Sequence, residues 1–375
     1  LILMGLGRGL DDALYRSATL LVAASPCAVV ISVPAAILSA LAASARGGVL
    51  FKGGAALETL GAVRAFAFDK TGTLTTGRAE VTGIHAPGMD EGEFLALLAG
   101  IEAQSEHPIA DAIRRAAHAR GLTPVTVDGV TALPSQGVTG QDAQGALWAG
   151  NQRMVAAQGA DVAGFADLAD GDHTVVWLGR GARVLGAASV ADLPRATSAA
   201  GIAALRAGGV TRILMMTGDR PQVASRIGAE LGLKPDEIHA GLLPADKVRL
   251  VSDLAEGGAV AYVGDGVNDA AALARADVGI AMGAAGSDVA LQAADVALLS
   301  EDMGRLAEAH RLARRTNRII RQNLAFALSA MVLLVTGALF FDLPLPLAVI
   351  GHEGGTVLVV LNGLRLLADP IRGRA

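Results

Sequence analysis

Long apolar stretches near both ends of the chain constrain its fold more than any other feature. Residues 17–45 and 322–341 contain no Asp, Glu, Lys or Arg, and residues 343–364 are apolar except for His352 and Glu353. A helix needs about 20 apolar residues to cross a bilayer. The sequence therefore predicts about three transmembrane helices.

The first apolar stretch is longer than one crossing requires. We expect this span to be bent, to unwind locally or to extend beyond the lipid. Pro26 and Pro34 are the expected break points, because a proline inside a helix removes one backbone hydrogen bond and clashes with the preceding turn.

Basic residues predict the orientation of the spans. Five arginines lie in residues 311–321, before the second span, and three follow the third, whereas the link between these spans carries only Asp342. Basic loops stay in the cytoplasm. We therefore expect a multi-pass protein of the plasma (inner) membrane, with its central segment and its C-terminus in the cytoplasm.

Composition agrees with a chain that is partly in lipid. Charged residues make up 18% of the chain, against about 25% in soluble proteins. A net charge of -5 gives no electrostatic reason to expect a nucleic-acid partner. The single cysteine, Cys27, excludes an internal disulfide and a zinc cluster of several thiolates.

The central segment has an α/β pattern. Short apolar strands at residues 63–68, 213–216 and 259–263 are each followed by a turn of Gly, Asp or Thr and then by an Ala-rich helical stretch, which is typical of a doubly wound parallel sheet. Residues 78–189 mix strands and helices differently. We interpret them as a domain inserted after the first strand of the sheet.

Polar residues follow three of the predicted strands. They form the segments Asp69-Lys70-Thr71, Thr217-Gly218-Asp219 and residues 264–269. Ligands of doubly wound sheets bind at the carboxyl ends of the strands, and converging carboxylates suit Mg²⁺. The sequence therefore predicts a phosphate-handling magnesium site at this edge of the sheet.

The residue types indicate phosphoryl transfer. Asp69 would attack a γ-phosphoryl group and form an aspartyl phosphate. Asp265 would be the main Mg²⁺ ligand, with Asn268 and Asp269 close by. Thr217 and Lys247 would hold the oxygens of the transferred phosphoryl group by hydrogen bond and charge.

Position 71 separates two chemistries. Hydrolases with an aspartyl nucleophile often place a second Asp two positions further on, as the acid/base that breaks the acyl phosphate. Here that position is Thr71. The sequence therefore predicts a longer-lived phosphorylated intermediate.

Three motifs carry a resemblance to a known family. DKTGTLTTG at 69–77, TGD at 217–219 and GDGVNDAAAL at 264–273 closely resemble the signatures of P-type ATPases. The resemblance implies a haloacid-dehalogenase-like Rossmannoid phosphorylation domain with an inserted α+β nucleotide-binding domain. It implies phosphorylation of Asp69 and a Mg²⁺ region that includes Asp69, Thr71, Asp265 and Asp269. Lys70, Thr217, Gly218, Asp219 and Lys247 would complete the catalytic group.

This resemblance predicts the following boundaries. The membrane region and its cytoplasmic extension span 1–61, and two C-terminal transmembrane helices span 319–375. The phosphorylation domain comprises 62–77 and 190–318, and the nucleotide-binding domain comprises 78–189.

The inserted domain resembles that of the heavy-metal-transporting branch. Residues 105–108 read SEHP, which resembles a motif of that branch beside the adenine. The family's Gly-x-Gly turn reads Ser135-Gln136-Gly137 here, so its first glycine is replaced. The resemblance implies ATP binding by five residues, namely Glu102, His107, Gly137, Gly150 and Asn151.

Two of the predicted spans contain candidate metal ligands. Pro26 frees backbone carbonyls beside Cys27, and His352 and Glu353 lie at membrane depth, where ionisable groups are costly and usually functional. Two other interpretations remain open: Cys27 as a small buried hydrophobe, and a His352–Glu353 pair that stabilises helix packing.

A thiolate, an imidazole and a carboxylate suit a borderline divalent metal better than Cu(I), which prefers several sulfur ligands. The SPC motif at 25–27 and HEGGT at 352–356 resemble the cobalt/zinc-type branch, which implies transport of Zn²⁺, Co²⁺ or Cd²⁺. The ion ligands would be Ser25, Cys27, His352, Glu353 and Thr356.

The chain contains no Thr-Gly-Glu tripeptide, the actuator motif with which the family dephosphorylates its intermediate. We therefore expect the C-terminal part of an ATP-driven metal exporter. The alternatives are a membrane-anchored phosphohydrolase of the same fold and an inert part of a split pump.

Overall fold

The computed structural model describes residues 9–165, 174–266, 269–283, 292–368 and 371. In this part of the chain the helices are α1 (Leu10–Ala23), α2 (Cys27–Arg46), α3 (Gly54–Ala62), α4 (Glu91–Ile101), α5 (Pro108–Ala119), α6 (Gln152–Ala157), α7 (Ser198–Ala207), α8 (Pro221–Glu230), α9 (Pro244–Ala255), α10 (Ala270–Arg275), α11 (Met303–Phe340) and α12 (Leu345–Leu364). The strands are β1 (Val49–Phe51), β2 (Ala65–Asp69), β3 (Thr75–His85), β4 (Asp128–Leu133), β5 (Gly137–Asp142), β6 (Gly145–Gly150), β7 (Thr174–Arg180), β8 (Arg183–Pro194), β9 (Arg212–Met216), β10 (Ile238–His239), β11 (Val260–Gly264), β12 (Val278–Met282) and β13 (Val296–Leu298). Asn268, a predicted neighbour of the Mg²⁺ ligands, lies outside the described residues.

The chain divides into two compact units. The first comprises Leu1–Asp69, Thr197–Met216 and Leu242–Ala375, and the second comprises Lys70–Ala196 and Thr217–Gly241. The chain leaves the first unit after Asp69 and again after Met216, at the ends of two strands.

The first unit contains a mostly parallel sheet. Its strands follow one another in the order β1–β13–β12–β11–β2–β9, and every pairing in this series is parallel except that of β1 with β13. All residues of β2, β11 and β12 are buried, as expected for parallel strands covered on both faces. Parallel pairing brings the carboxyl ends of β2, β9 and β11 to the same edge, so Asp69 lies opposite Met216.

The core of this unit packs helices onto the sheet. Val251 and Leu254 of α9 and Leu273 of α10 lie in one buried cluster with Tyr262 of β11. The helix α11 begins in the same unit, where it packs against α3 and α7 and buries His310 beside Phe66 of β2. The ring centroids of His310 and Phe66 are 5.5 Å apart.

The second unit contains an antiparallel sheet in the order β3–β8–β7–β6–β5–β4. The helices α4 and α5 pack together and contact this sheet. Phe94 and Leu98 of α4 and Ile113 of α5 are fully buried in its core. The predicted combination of a parallel α/β sheet with an inserted α+β domain is confirmed.

Within the described part of the chain, three helical stretches are long and apolar enough to cross a membrane: Leu10–Arg46, Met303–Phe340 and Leu345–Ala368. The prediction of about three membrane helices is confirmed. The helices α2, α11 and α12 pack against one another. Asn323 of α11, which is buried, donates a hydrogen bond to the Val359 carbonyl of α12 over 3.0 Å.

The two prolines of the first stretch behave differently. The helix is interrupted between Ala23 and Cys27, with Pro26 directly before α2, so the expected break occurs there. Pro34 lies inside α2, which continues through it, so the expected break at Pro34 is wrong. Packed neighbouring helices allow a membrane helix to keep a proline, and α2 packs against both α11 and α12.

Candidate functional site

Three side chains meet at the carboxyl edge of the parallel sheet. The ammonium group of Lys247 in α9 donates hydrogen bonds to Asp69 Oδ1 over 2.5 Å and to Asp269 Oδ1 over 2.8 Å. All three residues are buried. Asp69 ends β2, and Asp269 directly precedes α10. The topology thus gathers one cation and two carboxylates from positions far apart in the chain.

The electrostatics of this cluster favour a reactive carboxyl group. Burial, followed by the negative charge of Asp269, raises the pKa of Asp69 to about 6, although Lys247 opposes the shift. Burial alone would lower the pKa of Lys247, but the two carboxylates outweigh it, so this pKa is raised. Lys247 therefore remains a cation at neutral pH.

The donor set fits a magnesium ion. Asp265, which follows β11, is close enough for its charge to raise the pKa of Asp69. Asp269 Oδ2 is buried and has no hydrogen-bond partner among the described residues. Carboxylate oxygens are the ligands that Mg²⁺ prefers. These donor types therefore suit the cation, although within the described residues no three carboxylates stand close enough to form a metal-binding group.

The segment after Asp69 belongs to the second unit and is held by ion pairs there. Lys70 is buried, and its Nζ lies 2.7 Å from Asp219 Oδ2 and 3.8 Å from Asp192 Oδ2. Thr71 is exposed, and Gly72 has a φ of 72°. The chain therefore turns sharply after Lys70 and leaves the position 71 side chain open to solvent.

Asp192 and Arg195 support the loop that follows Asp69, and neither was predicted from the sequence. The Asp192 carboxylate accepts hydrogen bonds from the hydroxyls of Thr75 and Thr76. Arg195 donates from Nε to the Thr73 carbonyl over 3.0 Å and from its guanidinium to the Gly72 carbonyl over 2.8 Å. One sequence signal pointed to this role, a pair of charged residues at the end of β8.

The Thr217-Gly218-Asp219 turn lies in the second unit with Lys70. Thr217 is buried, and its backbone N–H donates to the His239 carbonyl over 2.9 Å. Its hydroxyl accepts the Asp219 N–H over 3.1 Å, whereas Gly218 is exposed. The turn thus fixes Asp219, which in turn binds Lys70.

Glu102 and His107 of the inserted domain have different surroundings. Glu102 is buried, and burial raises its pKa despite a hydrogen bond with Ser105. His107 is exposed and caps α5, with Nδ1 accepting the Ile109 N–H over 3.2 Å. The charge of His107 lowers the pKa of Glu102, against the larger effect of burial, so the two groups interact electrostatically.

The turn at residues 135–137 uses backbone conformations that favour glycine. Ser135 has a φ of 63° despite its side chain, and Gly137 has a φ of 154°. A β-carbon on Gly137 would lie 2.0 Å from the Ala149 carbonyl oxygen, and one on Gly150 would lie 2.3 Å from that of Gln136. Only glycine therefore fits at these two positions.

Asn151 holds this turn in place. Its side-chain amide donates to the Ser135 carbonyl over 2.9 Å, and its backbone N–H donates to the Gln136 carbonyl over 2.9 Å. Its side-chain oxygen accepts the Arg153 N–H and so caps α6. The replacement of the first glycine by Ser135 therefore leaves a tight, well-supported turn.

The membrane residues are only partly gathered. The Ser25 hydroxyl lies 3.1 Å from the Cys27 sulfur, and Ser25 and His352 line one small pocket between α2, α11 and α12. Glu353 has 67% of its side chain exposed, with its carboxylate 4.0 Å from His352 Nε2. The Thr356 hydroxyl donates to the His352 carbonyl. Within the described residues, no three His, Cys, Asp or Glu side chains form a metal-binding group.

Comparison with known families defines the class of the protein. A family model described as a haloacid dehalogenase-like hydrolase matches residues 63–277, the segment that contains β2, β9, β11 and the Asp69–Lys247–Asp269 cluster. The chain belongs to the haloacid dehalogenase-like hydrolases.

Curated relatives narrow this class. The chain is 44% identical over 360 residues to a zinc/cadmium/lead-transporting P-type ATPase of Escherichia coli (strain K12), a match that covers 94% of this chain. It is 35% identical over 367 residues to a cadmium, zinc and cobalt-transporting ATPase of Bacillus subtilis (strain 168), over 96% of this chain. Within the class, the chain belongs to the P-type ATPases.

A solved structure agrees with this assignment. A zinc-transporting PIB-type ATPase in the E2.Pi state matches the fold with a TM-score of 0.88 and 42% sequence identity, over 96% of this chain and 59% of that protein. The chain spans about half the length of the two relatives, 48% and 51%.

Proposed function

We propose that this chain is the catalytic and C-terminal membrane part of an ATP-driven exporter of a divalent transition metal. The observation that carries the proposal is the buried cluster in which Lys247 bridges Asp69 and Asp269. It stands at the end of a strand in the unit that also contains the membrane helices with Cys27 and His352.

The reaction assigned to the cluster is phosphoryl transfer. A carboxylate oxygen of Asp69 forms a bond to the γ-phosphorus of ATP while the bond to the bridging oxygen breaks, so ADP leaves and an acyl phosphate remains. Lys247 neutralises charge beside the attacking oxygen. Mg²⁺ held by Asp69, Asp265 and Asp269 would neutralise phosphate charge. Thr71 also belongs to this proposed Mg²⁺ region.

The lifetime of the acyl phosphate is the link to transport. Thr71 offers no carboxyl group to activate water, so the intermediate persists long enough to accompany a conformational change. Lys70, Thr217, Gly218 and Asp219 are the other proposed catalytic residues. The ion pair between Lys70 and Asp219 supports this grouping.

ATP binding is assigned to the inserted domain. Gly137 and Gly150 let two backbone segments meet closely, since a β-carbon on either would lie within 2.3 Å of a carbonyl oxygen, and this tight turn is the proposed support of the nucleotide site. Asn151 fixes this turn. Glu102 and His107 form the polar end of the proposed adenine site.

The transported ion is assigned to the pocket between α2 and α12. Cys27 would supply sulfur and His352 nitrogen, a mixed donor set that suits Zn²⁺, Co²⁺ or Cd²⁺. Ser25, Glu353 and Thr356 are the proposed oxygen donors. Ser25 and His352 line this pocket, whereas Cys27, Glu353 and Thr356 do not. The proposal therefore requires α2 and α12 to move relative to each other when the ion binds.

The proposal also covers organisation and location. We assign the predicted boundaries to a membrane region at 1–61, a phosphorylation domain at 62–77 and 190–318, a nucleotide-binding domain at 78–189 and membrane helices at 319–375. The positive-inside pattern supports an inner-membrane protein whose catalytic domains lie in the cytoplasm.

ATP hydrolysis against a panel of metals tests the proposal. In the longest natural form of the protein, we expect Zn²⁺, Co²⁺ or Cd²⁺ to stimulate hydrolysis, and Cys27→Ala or His352→Ala to abolish the stimulation. Ser39→Ala in the same helix as Cys27 is the matched control, since its hydroxyl only bonds the Ala35 carbonyl. Metal-independent hydrolysis would indicate a phosphohydrolase instead.

A further inference from the structure

Tyr262 is an unusual residue for its position. It lies in β11, two residues before Gly264, and is fully buried. The rest of its core cluster is aliphatic, Ala, Val, Leu and Met. The Tyr262 hydroxyl is buried and makes no hydrogen bond of standard geometry among the described residues, although it interacts with the Asp269 side chain. A buried hydroxyl without a partner costs about 1–3 kcal/mol, so a phenylalanine would fill this space at lower cost.

A second unpaired polar atom lies beside it. Asp269 Oδ1 accepts from Lys247, whereas Asp269 Oδ2 is buried without a partner in the described part of the chain. A β-carbon on Gly264 would lie 3.2 Å from Tyr262 Cε1 and 3.4 Å from Asp269 Oδ2. The ring edge and the carboxylate oxygen therefore border the same glycine.

The two atoms have complementary chemistry. A carboxylate oxygen accepts hydrogen bonds, and a phenol donates one. Burial, then the negative charges of Asp269 and Asp69, then a hydrogen-bond interaction with Asp269 raise the pKa of Tyr262. The hydroxyl therefore keeps its proton, and a bond to Asp269 Oδ2 would satisfy both buried groups.

We propose that Tyr262 is a positioning residue for Asp269, donating a hydrogen bond to Oδ2 while Lys247 occupies Oδ1. With both oxygens held, the carboxylate cannot rotate about its last bond, so its face toward the proposed Mg²⁺ site is fixed. Partners of this kind behind a metal ligand commonly change metal affinity or activity by about 10–100-fold. The inference rests on the proposed function for the Mg²⁺ role of Asp269.

The first test observes Tyr262 directly. The chain has two tyrosines, Tyr15 and Tyr262, so Tyr15→Phe leaves a single tyrosine whose labelled ¹³Cζ gives one NMR signal. We expect Asp269→Asn and added Mg²⁺ each to shift this signal. Asp253→Asn, an exposed carboxylate of α9, is the matched control and should leave it unchanged. If neither Asp269→Asn nor added Mg²⁺ changes the chemical shift of Tyr262, the proposal is overturned.

The second test separates positioning from general stability. In Tyr262→Phe we expect the Mg²⁺ concentration for half-maximal phosphorylation to rise roughly tenfold, with the half-saturating ATP concentration unchanged. Tyr15→Phe is the matched loss of a hydroxyl elsewhere. Unchanged Mg²⁺ dependence would overturn the proposal. If no phosphorylation occurs in the parent chain, the proposed function fails, and the NMR test still decides the Tyr262–Asp269 contact.

Discussion

Lys247 Nζ lies 2.5 Å from Asp69 Oδ1, so the candidate nucleophile is already paired with a cation. The same ammonium group lies 2.8 Å from Asp269 Oδ1. A single positive charge thus holds two buried carboxylates together, and its removal would leave two like charges facing each other.

Replacement of Lys247 by methionine should affect both stability and phosphorylation. Removal of one partner from a buried ion pair costs about 3 kcal/mol or more, and loss of a charged hydrogen-bond donor at a reacting group costs about 100-fold or more in rate. Thermal unfolding and labelling from γ-labelled ATP measure the two effects. Arg249→Met, an exposed change in the same helix, should alter neither, and full labelling of Lys247→Met would contradict the account.

The stability of the protein should depend on pH because the pKa of Asp69 differs between the folded and unfolded states. Its pKa is about 6 in the folded chain, against 3.8 ordinarily, so the folded state holds this proton over a pH range in which the unfolded state has lost it. This contribution to stability is present below pH 4 and is lost as the pH rises to about 6 and above.

The variant Asp69→Asn isolates this effect. Between pH 4 and pH 7, the parent should lose about 2 kcal/mol relative to the Asn variant, most of the roughly 3 kcal/mol that a shift from 3.8 to about 6 represents. Unfolding midpoints at both pH values measure the difference. A difference that does not depend on pH would show that Asp69 has an ordinary pKa.

Replacement of Arg195 should slow phosphorylation and leave nucleotide binding unchanged. It bonds two successive backbone carbonyls after Asp69, and lysine cannot reproduce both contacts. We expect Arg195→Lys to lower the phosphorylation rate roughly tenfold, the equivalent of about 1.4 kcal/mol. Stopped labelling measures the rate. Arg183→Lys, an exposed change in β8, is the control, and an equal loss there would contradict a specific role for Arg195.

Gly137→Ala should destabilise the second unit. The added β-carbon would meet the Ala149 carbonyl oxygen at 2.0 Å, so strands must shift at a cost of about 2 kcal/mol or more. Trp148 and Trp177, the two tryptophans of the chain, both lie in this unit. Their fluorescence therefore reports its unfolding.

The control for this change is Gly164→Ala, where a β-carbon would meet no atom within 4 Å. It should leave both the unfolding midpoint and the binding of an ATP analogue unchanged. Equal stability of the two variants would show that the turn adapts to a side chain.

Local patterns were sufficient to predict the parallel strands and the break at Pro26. Each strand was an apolar run that ended at a polar turn, and the break required only a proline in a long uncharged stretch. The strand ends fell within two residues of the predicted ones, for example Ala65–Asp69 against 63–68.

Features that depend on distant contacts were not predictable in this way. Asp192 and Arg195 follow the loop they support by more than a hundred residues, and no periodicity links them to it. The intact helix at Pro34 depends on packing between helices. Ser135 takes a positive φ because Asn151 holds the turn, a contact that the sequence does not encode locally.

The most direct test of the central claim is the chemical identification of the phosphorylated residue. After brief reaction with γ-labelled ATP, the chain should carry acid-stable label that hydroxylamine removes, and borohydride reduction should convert Asp69 alone to homoserine in the mapped peptide. Asp69→Asn should carry no label, whereas Asp236→Asn, an exposed control, should label normally. Label that survives in Asp69→Asn, or homoserine at another aspartate, would contradict the account.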